Sequence, residues 1–349
     1  MKRTKLFSLC LLVIAMLVML AACGGGKDEG KKESKNDASD DGVQEITIKL
    51  SHEVAENTSQ HVGSIAFKEY IENASEGKIE VQVYPNGQLY GDQDVMQSLA
   101  ANNVQFTQQD LSKLVGDDER FNIPSLPFLF ASDDEAVEFW DSEKGMEILS
   151  ALEKDGIYGL AMWPNGPKHF TNNKRPLKSP EDFKGLNFRT QGGQVLEDVF
   201  KALDAGSVSI PFTELYTSLQ QGVVDGQTNT FVNTESKKFD EVQKYLTVIG
   251  DTRVDVGFFA NKEFMDSLND ETKKIVEEGI KAGTDAARKA SKEMNEKAFE
   301  EIKNRGNVEV YELTDEEREA FVKVWEPVYE KYAPVIGEEY IEAAQNVGK

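Results

Sequence analysis

Residues 269–305 form a single helical pattern that no proline interrupts. At ~1.5 Å per residue such a helix runs about 50 Å, longer than one small domain is wide. A helix of that length has to bridge two lobes, so a chain of 349 residues built around it is expected to hold two domains. Asp270 is the expected cap at its start and Gly306 its stop.

Around this helix the chain alternates strand and helix patterns. Residues 45–50 (EITIKL) and 78–84 (KIEVQVY) alternate apolar and polar side chains, the two-residue period of a strand. Between them Val62, Ile65, Ala66, Phe67, Tyr70 and Ile71 recur at helical spacing, and Gly77 closes the run. A short helix over 92–101 and a strand over 104–106 complete a β-α-β-α-β order. That order predicts an α/β domain with a largely parallel sheet. Residues 123–130 (IPSLPFLF) read as a buried loop, 133–154 as helix and 157–162 as strand. The second half repeats the logic: strand at 186–189, helices at 194–203 and 212–221, a strand opening at Val223-Val224, helix at 235–246, and a central strand at 254–260. After the long helix come a strand at 308–311 and a capping box at Thr314–Glu317.

The front of the chain reads as an address. Lys2, Arg3 and Lys5 precede an apolar run over 6–20, followed by Leu20-Ala21-Ala22-Cys23. A basic start, a short apolar core and small residues before a cut site describe a signal peptide over 1–22. Its end resembles a bacterial lipobox, which implies a diacylglycerol on Cys23 and attachment to the cell membrane. Residues 23–43 carry almost no large apolar side chain and are expected to be a flexible tether. Gly25, Gly30 and Lys31 mimic the spacing of a phosphate loop, but Lys32 stands where a Ser or Thr would bind magnesium, and no strand precedes it. With Cys10 lost in the leader and Cys23 lipidated, the mature chain has no cysteine for a disulfide or a metal cluster. The net charge of −23 argues against nucleic acid as a partner.

Residues 168–245 are the most informative stretch. They contain KRPLKSPEDFKGLNFRTQ, VFKALDAGSVSIPFTELYTSLQQGVVDGQTN and KKFDEVQKYLT. These segments resemble the solute-binding subunits of TRAP (tripartite ATP-independent periplasmic) transporters, particularly the DctP-like C4-dicarboxylate members. LSHEVAENT, GKIEVQVYPNGQLYGD and LPFLF agree in order, and the likeness spans about residues 44–325. The resemblance implies an α/β clamshell of the periplasmic-binding-protein kind, with the long helix spanning both lobes. One lobe is expected to hold 44–164 with 251–280, and the other 165–250 with 281–349. The resemblance also implies closure around a small organic acid and delivery to integral membrane subunits; from the missing cysteines and histidine spacing, no cofactor or metal is expected.

Arg189 is the main candidate for the ligand. It ends a predicted strand just before Gly192-Gly193 and a helix, the edge at which open α/β sheets bind ligands. Its planar guanidinium takes both oxygens of a carboxylate and does not lose its charge. By resemblance it is the family's carboxylate clamp. Lys168 matches a second basic residue of dicarboxylate binders, with His169 taking that place if the match slips by one. Asn229 matches the family's ligand-contacting asparagine, in Gly-Gln-Thr-Asn where the family has Gly-Gln-Glu-Asn. Phe231 and Asn233 follow at alternate positions, on the same expected wall. From the first lobe, Glu56, Asn57, Asp92 and Asp110 are candidates to line the cleft. An enzyme is disfavoured: His52, His61 and His169 have no zinc spacing, and there is no G-x-S-x-G.

Overall fold

The computed structural model describes residues 42–348. The leader, Cys23 and all of the expected tether except Gly42 and Val43 lie outside the described residues. The first elements are β1 (Ile46–Ser51), α1 (Ser59–Ala74), β2 (Ile79–Tyr84), α2 (Val95–Ala100) and β3 (Phe106–Asp110). They are followed by α3 (Asp133–Asp141), α4 (Glu143–Leu149), β4 (Ile157–Pro167), β5 (His169–Asn172), β6 (Asn187–Thr190), α5 (Gln194–Ala202) and β7 (Gly206–Ser209). Then come α6 (Leu215–Gln221), β8 (Gly226–Asn229), α7 (Phe231–Ser236), β9 (Tyr245–Val248) and β10 (Arg253–Asn261). The chain ends with α8 (Lys262–Asp266), α9 (Asp270–Arg305), β11 (Glu309–Glu312), α10 (Asp315–Ile336) and α11 (Glu338–Gln345).

Among the described residues the strands form two sheets, ordered β2-β1-β3-β10-β4 and β11-β9-β5-β8-β6-β7. Each is largely parallel, with all strands but one running the same way. In the first, β1 pairs in parallel with β2 and β3, but β10 runs antiparallel to both β3 and β4. In the second, β5 runs antiparallel to β8 and β9. The cause is the route of the chain: β10 and β5 each enter a sheet from the other one, so they arrive from the opposite end. Two short segments make these crossings. Lys168 alone separates β4 from β5, and residues 249–252 separate β9 from β10. Lys168 N donates to Thr252 O at 2.8 Å, and Gly250 N donates to Lys168 O at 3.1 Å, so the two crossings are stitched side by side.

The long helix α9 packs on α1 and β4 beside the first sheet and on α7 beside the second. Its cap is Asn269, whose side chain accepts from Thr272 N, rather than Asp270; Gly306 ends it in the left-handed conformation. Helices α1 and α9 approach so closely that a Cβ on Gly63 would lie 2.8 Å from Gly283 O and from the Trp163 ring. Ile48, Phe67, Phe106, Trp163, Phe258 and Val276 form the core beneath them. A second, larger cluster runs from Phe121, Phe139 and Trp140 to Phe170, Phe188, Phe200 and Trp325. The predicted helix over 235–246 is not formed. Chain after α7 turns through Lys238, at φ +61, and Tyr245–Val248 is strand β9. Val223-Val224 is a turn rather than strand, and β8 opens at Gly226. Among the described residues no helix is long and apolar enough to cross a membrane.

Candidate functional site

The carboxyl ends of β1, β3, β6 and β8 converge, with β4 and β10, on a cavity walled by both sheets. Glu53, Val54, Asp110, Lys113, Asn165, Val254 and Val256 come from the first side, and Arg189, Gln191, Phe212, Asn229 and Asn233 from the second. The cavity holds about 340 Å³ of atom-free space, with open water at its mouth included.

Arg189 is fully buried in this wall. Its Nε donates to Ile210 O at 2.9 Å, and its plane lies near the Phe212 ring, with Cζ 5.9 Å from the centroid. Nη1 and Nη2 have no hydrogen-bond partner among the described residues. No ion pair with Glu197 forms; Glu197 accepts instead from Gln194. Burial disfavours the charged guanidinium, and the fields of Glu53, Asp92 and Asp110 oppose that effect. A buried cation with two unsatisfied donor nitrogens is costly unless an anion completes it. Gly192 and Gly193, at φ +121 and +90, make the turn after β6; a Cβ on Gly193 would lie 3.4 Å from Val115 Cγ2 and 3.6 Å from Ser112 O across the cleft.

Beside Arg189 runs a chain of amides. Asn233 Nδ2 donates to Asn229 Oδ1 at 2.8 Å, and Thr230 Oγ1 donates to Asn165 Oδ1 at 2.6 Å. Asn165 Nδ2 donates to Gln60 Oε1 at 2.9 Å, and Asn295 of α9 donates to Asn165 O at 2.7 Å. This chain ties the two walls to the long helix. The Thr228 that replaces the family's Glu lies on the opposite face of β8 from Asn229, as strand alternation requires.

Lys168 does not line this cavity; it is buried, and its Nζ has no partner among the described residues. Burial lowers its pKa, opposed chiefly by the field of Asp251, then by that of Asp110. Asp251, on the neighbouring crossing, is pushed by burial to about 6, with Lys168 pulling against the rise. Between its ordinary value of 3.8 and about 6, Asp251 therefore holds a proton in the folded chain and not in the unfolded one. This contribution makes stability fall as the pH rises through that window, by up to about 3 kcal/mol. Urea unfolding of Asp251→Asn is expected to lack that component, so the stability difference between variant and wild type grows from about pH 4 to about pH 6. A difference that is flat with pH would refute it.

The remaining expected residues divide. Asp110 lines the cavity, its Oδ1 accepting from Ser112 N at 2.9 Å and Ser112 Oγ at 2.8 Å. Asp92 does not line it; it holds Lys113 from behind at 2.6 Å. Glu56 and Asn57 are exposed and away from the cavity, Asn57 donating to Glu235 at 3.1 Å. They lie past the end of β1, on the approach to α1, whereas the strand's carboxyl edge delivers Glu53 and Val54. His169 accepts from the N–H groups of Ile249 and Gly250 through Nδ1, and burial lowers its pKa to about 3, so it is a neutral ring. Phe231 stacks between His169 and Phe299 at 3.9 and 4.3 Å, behind the wall rather than on it. Sequence reasoning missed Glu53, Lys113, Asn165, Gln191 and Phe212. The signal for Glu53, Lys113 and Gln191 was available, since each closely follows the end of a strand at the ligand edge. Among the described residues no group of His, Cys, Asp and Glu is arranged to hold a metal ion.

Residues 50–334 match the family described as bacterial extracellular solute-binding protein, family 7, or DctP. Over 331 residues, 95% of each chain, the sequence is 34% identical to the C4-dicarboxylate-binding protein DctB of Bacillus subtilis. A TRAP periplasmic solute-binding protein from Shewanella oneidensis, crystallised with bound succinate, aligns with a TM-score of 0.85 at 36% identity, covering 87% of this chain and 99% of that one. The sugar acid binding protein DctPAm from Advenella mimigardefordensis, in complex with galactonate, aligns at 0.84 with 30% identity, covering 87% of this chain and 98% of its own. The chain belongs to the DctP family, the extracytoplasmic solute-binding proteins of TRAP transporters, which are binding proteins rather than enzymes.

Proposed function

We propose that this chain captures a small organic acid, a C4-dicarboxylate, in the cavity between its lobes and delivers it to the membrane subunits of a TRAP transporter. The observation that carries this reading is Arg189: a fully buried guanidinium on the cavity wall whose Nη1 and Nη2 are unpartnered among the described residues. One carboxylate of the ligand meets that fork, and Asn229 and Asn233 stand beside it on the same wall. Lys168, off the cavity lining but buried and with its Nζ unpartnered among the described residues, is the proposed counter-charge for a second carboxylate. The lobes, taken as 44–164 with 251–280 and 165–250 with 281–349, close over the ligand. Closure removes water, lowers the local dielectric and strengthens the ion pairs. Cys23 carries the lipid that holds the chain at the cell membrane.

A second reading, a sugar acid in place of a diacid, draws support from the carboxylates of Glu53 and Asp110 in the wall, which suit hydroxyl groups. Native mass spectrometry of the purified protein, followed by a thermal-shift series with succinate, L-malate, fumarate and galactonate, separates the two. A C4 acid at 100 times its Kd is expected to stabilise the fold by about 2.7 kcal/mol. A shift with galactonate alone favours the second reading, and no shift with any of the four acids removes both.

A further inference from the structure

The wall of the cavity contributed by the first sheet has a polarity that a plain diacid does not match. Lys113 lies in that wall, yet its ammonium is already taken. Its Nζ donates to Glu53 Oε1 at 2.9 Å, to Glu53 Oε2 at 3.1 Å and to Asp92 Oδ2 at 2.6 Å. Two carboxylates already neutralise it, so it is no free counter-charge for a ligand. What the wall offers is acceptors. Glu53 is held from one side only and retains free lone pairs on both oxygens. Asp110 has Oδ1 saturated by Ser112, but Oδ2 meets only Gln191 Nε2, at 3.5 Å, the outer limit of a hydrogen bond. Opposite them, in the same cavity, stands Arg189, its Nη1 and Nη2 unpartnered among the described residues.

We infer that Glu53, fixed by Lys113, reads a hydroxyl on the ligand, so that the site selects 2-hydroxy acids over unsubstituted ones. The inference rests on the Arg189 clamp proposed above. An ionised carboxylate accepts hydrogen bonds and donates none. Facing a second carboxylate it repels; facing a methylene it loses the water it would otherwise hold; facing an O–H it gains a charge-assisted bond. Such a bond contributes about 10- to 100-fold in affinity. Lys113 and Asp92 act as positioning residues, since they hold the carboxylate in one place and leave its free side toward the ligand.

Isothermal titration of L-malate and succinate against the wild type and Glu53→Met tests this. The wild type is expected to bind L-malate at least ~10-fold more tightly than succinate. Glu53→Met, similar in length but unable to accept, is expected to bring that ratio to about 1 by losing malate affinity, with succinate affinity held within about 3-fold. Retained succinate binding shows that the variant folds. Equal affinities in the wild type overturn the inference, as does an equal loss of both ligands in Glu53→Met. If neither C4 acid binds the wild type but galactonate does, and Glu53→Met loses galactonate, hydroxyl reading stands and the diacid assignment falls. If Arg189→Lys leaves all affinities unchanged, the clamp falls, and this inference with it.

Discussion

Arg189→Lys is expected to weaken binding of the C4 acid at least ~100-fold, although the positive charge is kept. Lysine presents a point charge on a flexible stem, and the paired nitrogens that meet two oxygens are lost. The Nε bond to Ile210 O, which fixes the plane of the guanidinium, disappears as well. Arg189→Met sharpens the test. Without ligand, wild-type Arg189 is a buried cation whose terminal nitrogens are unsatisfied among the described residues, an arrangement that works against stability. The methionine variant is therefore expected to be at least as stable as the wild type in the absence of ligand, and to show no thermal shift with any carboxylate. A site built for binding and a residue built for folding give opposite signs here. Loss of stability in ligand-free Arg189→Met, together with unchanged affinity in Arg189→Lys by calorimetry, would defeat the assignment.

Arg253→Met is expected to destabilise the fold by about 3–5 kcal/mol. Arg253 Nε donates to Asp255 Oδ1 at 3.2 Å and Nη2 to Asp133 Oδ1 at 2.6 Å. Asp255 also accepts from Trp140 Nε1 at 3.1 Å, and Asp133 from Ser291 Oγ of α9 at 3.1 Å. The network joins β10, α3 and the long helix, and Asp255 is fully buried. Burial already pushes the Asp255 carboxyl above its ordinary pKa, with Arg253 acting against the rise. Removing the arginine leaves a buried carboxylate without its counter-charge, the costly half of a broken pair. Arg253→Met/Asp255→Asn is expected to recover part of the loss, so that the two changes are not additive. Urea unfolding of the three variants gives the answer, and a fall below about 1 kcal/mol in the single variant would show the pair to be dispensable.

The parts of the fold that were legible in the sequence are those where local pattern and tertiary pairing agree. EITIKL and KIEVQVY alternate because β1 and β2 lie side by side in parallel over a core of Ile48, Leu50, Ile79 and Val81. Thr314 and Glu317 form the expected capping box because both halves of that bond lie within one turn. The failures have a common cause, since pairing partners distant in sequence decide them. Residues 235–246 carry apolar side chains at helical intervals, yet Tyr245–Val248 pairs with β5 and β11 and is drawn into a strand. Alternation also carries no sign of direction, so the antiparallel entry of β10 and β5 was invisible. The site divides in the same way. Arg189 was found because a strand end, a glycine pair and a guanidinium coincide. Glu53 was not legible because nothing in the local pattern tells which residue after β1 turns into the cavity and which, like Glu56 and Asn57, turns to solvent. Lys113 was missed because its three bonds to Glu53 and Asp92 join segments 21 and 60 residues away.

The two stitched crossings between the sheets have a mechanical consequence. When one body turns against another, a point moves in proportion to its distance from the pivot. If the proposed closure pivots on these crossings, Lys168, itself one of them, has a lever arm close to zero. In such a closure, jaw residues farther out sweep an arc while this ammonium stays almost still. A ligand carboxylate held there, as proposed, would meet a charge whose position does not depend on how far the mouth has shut.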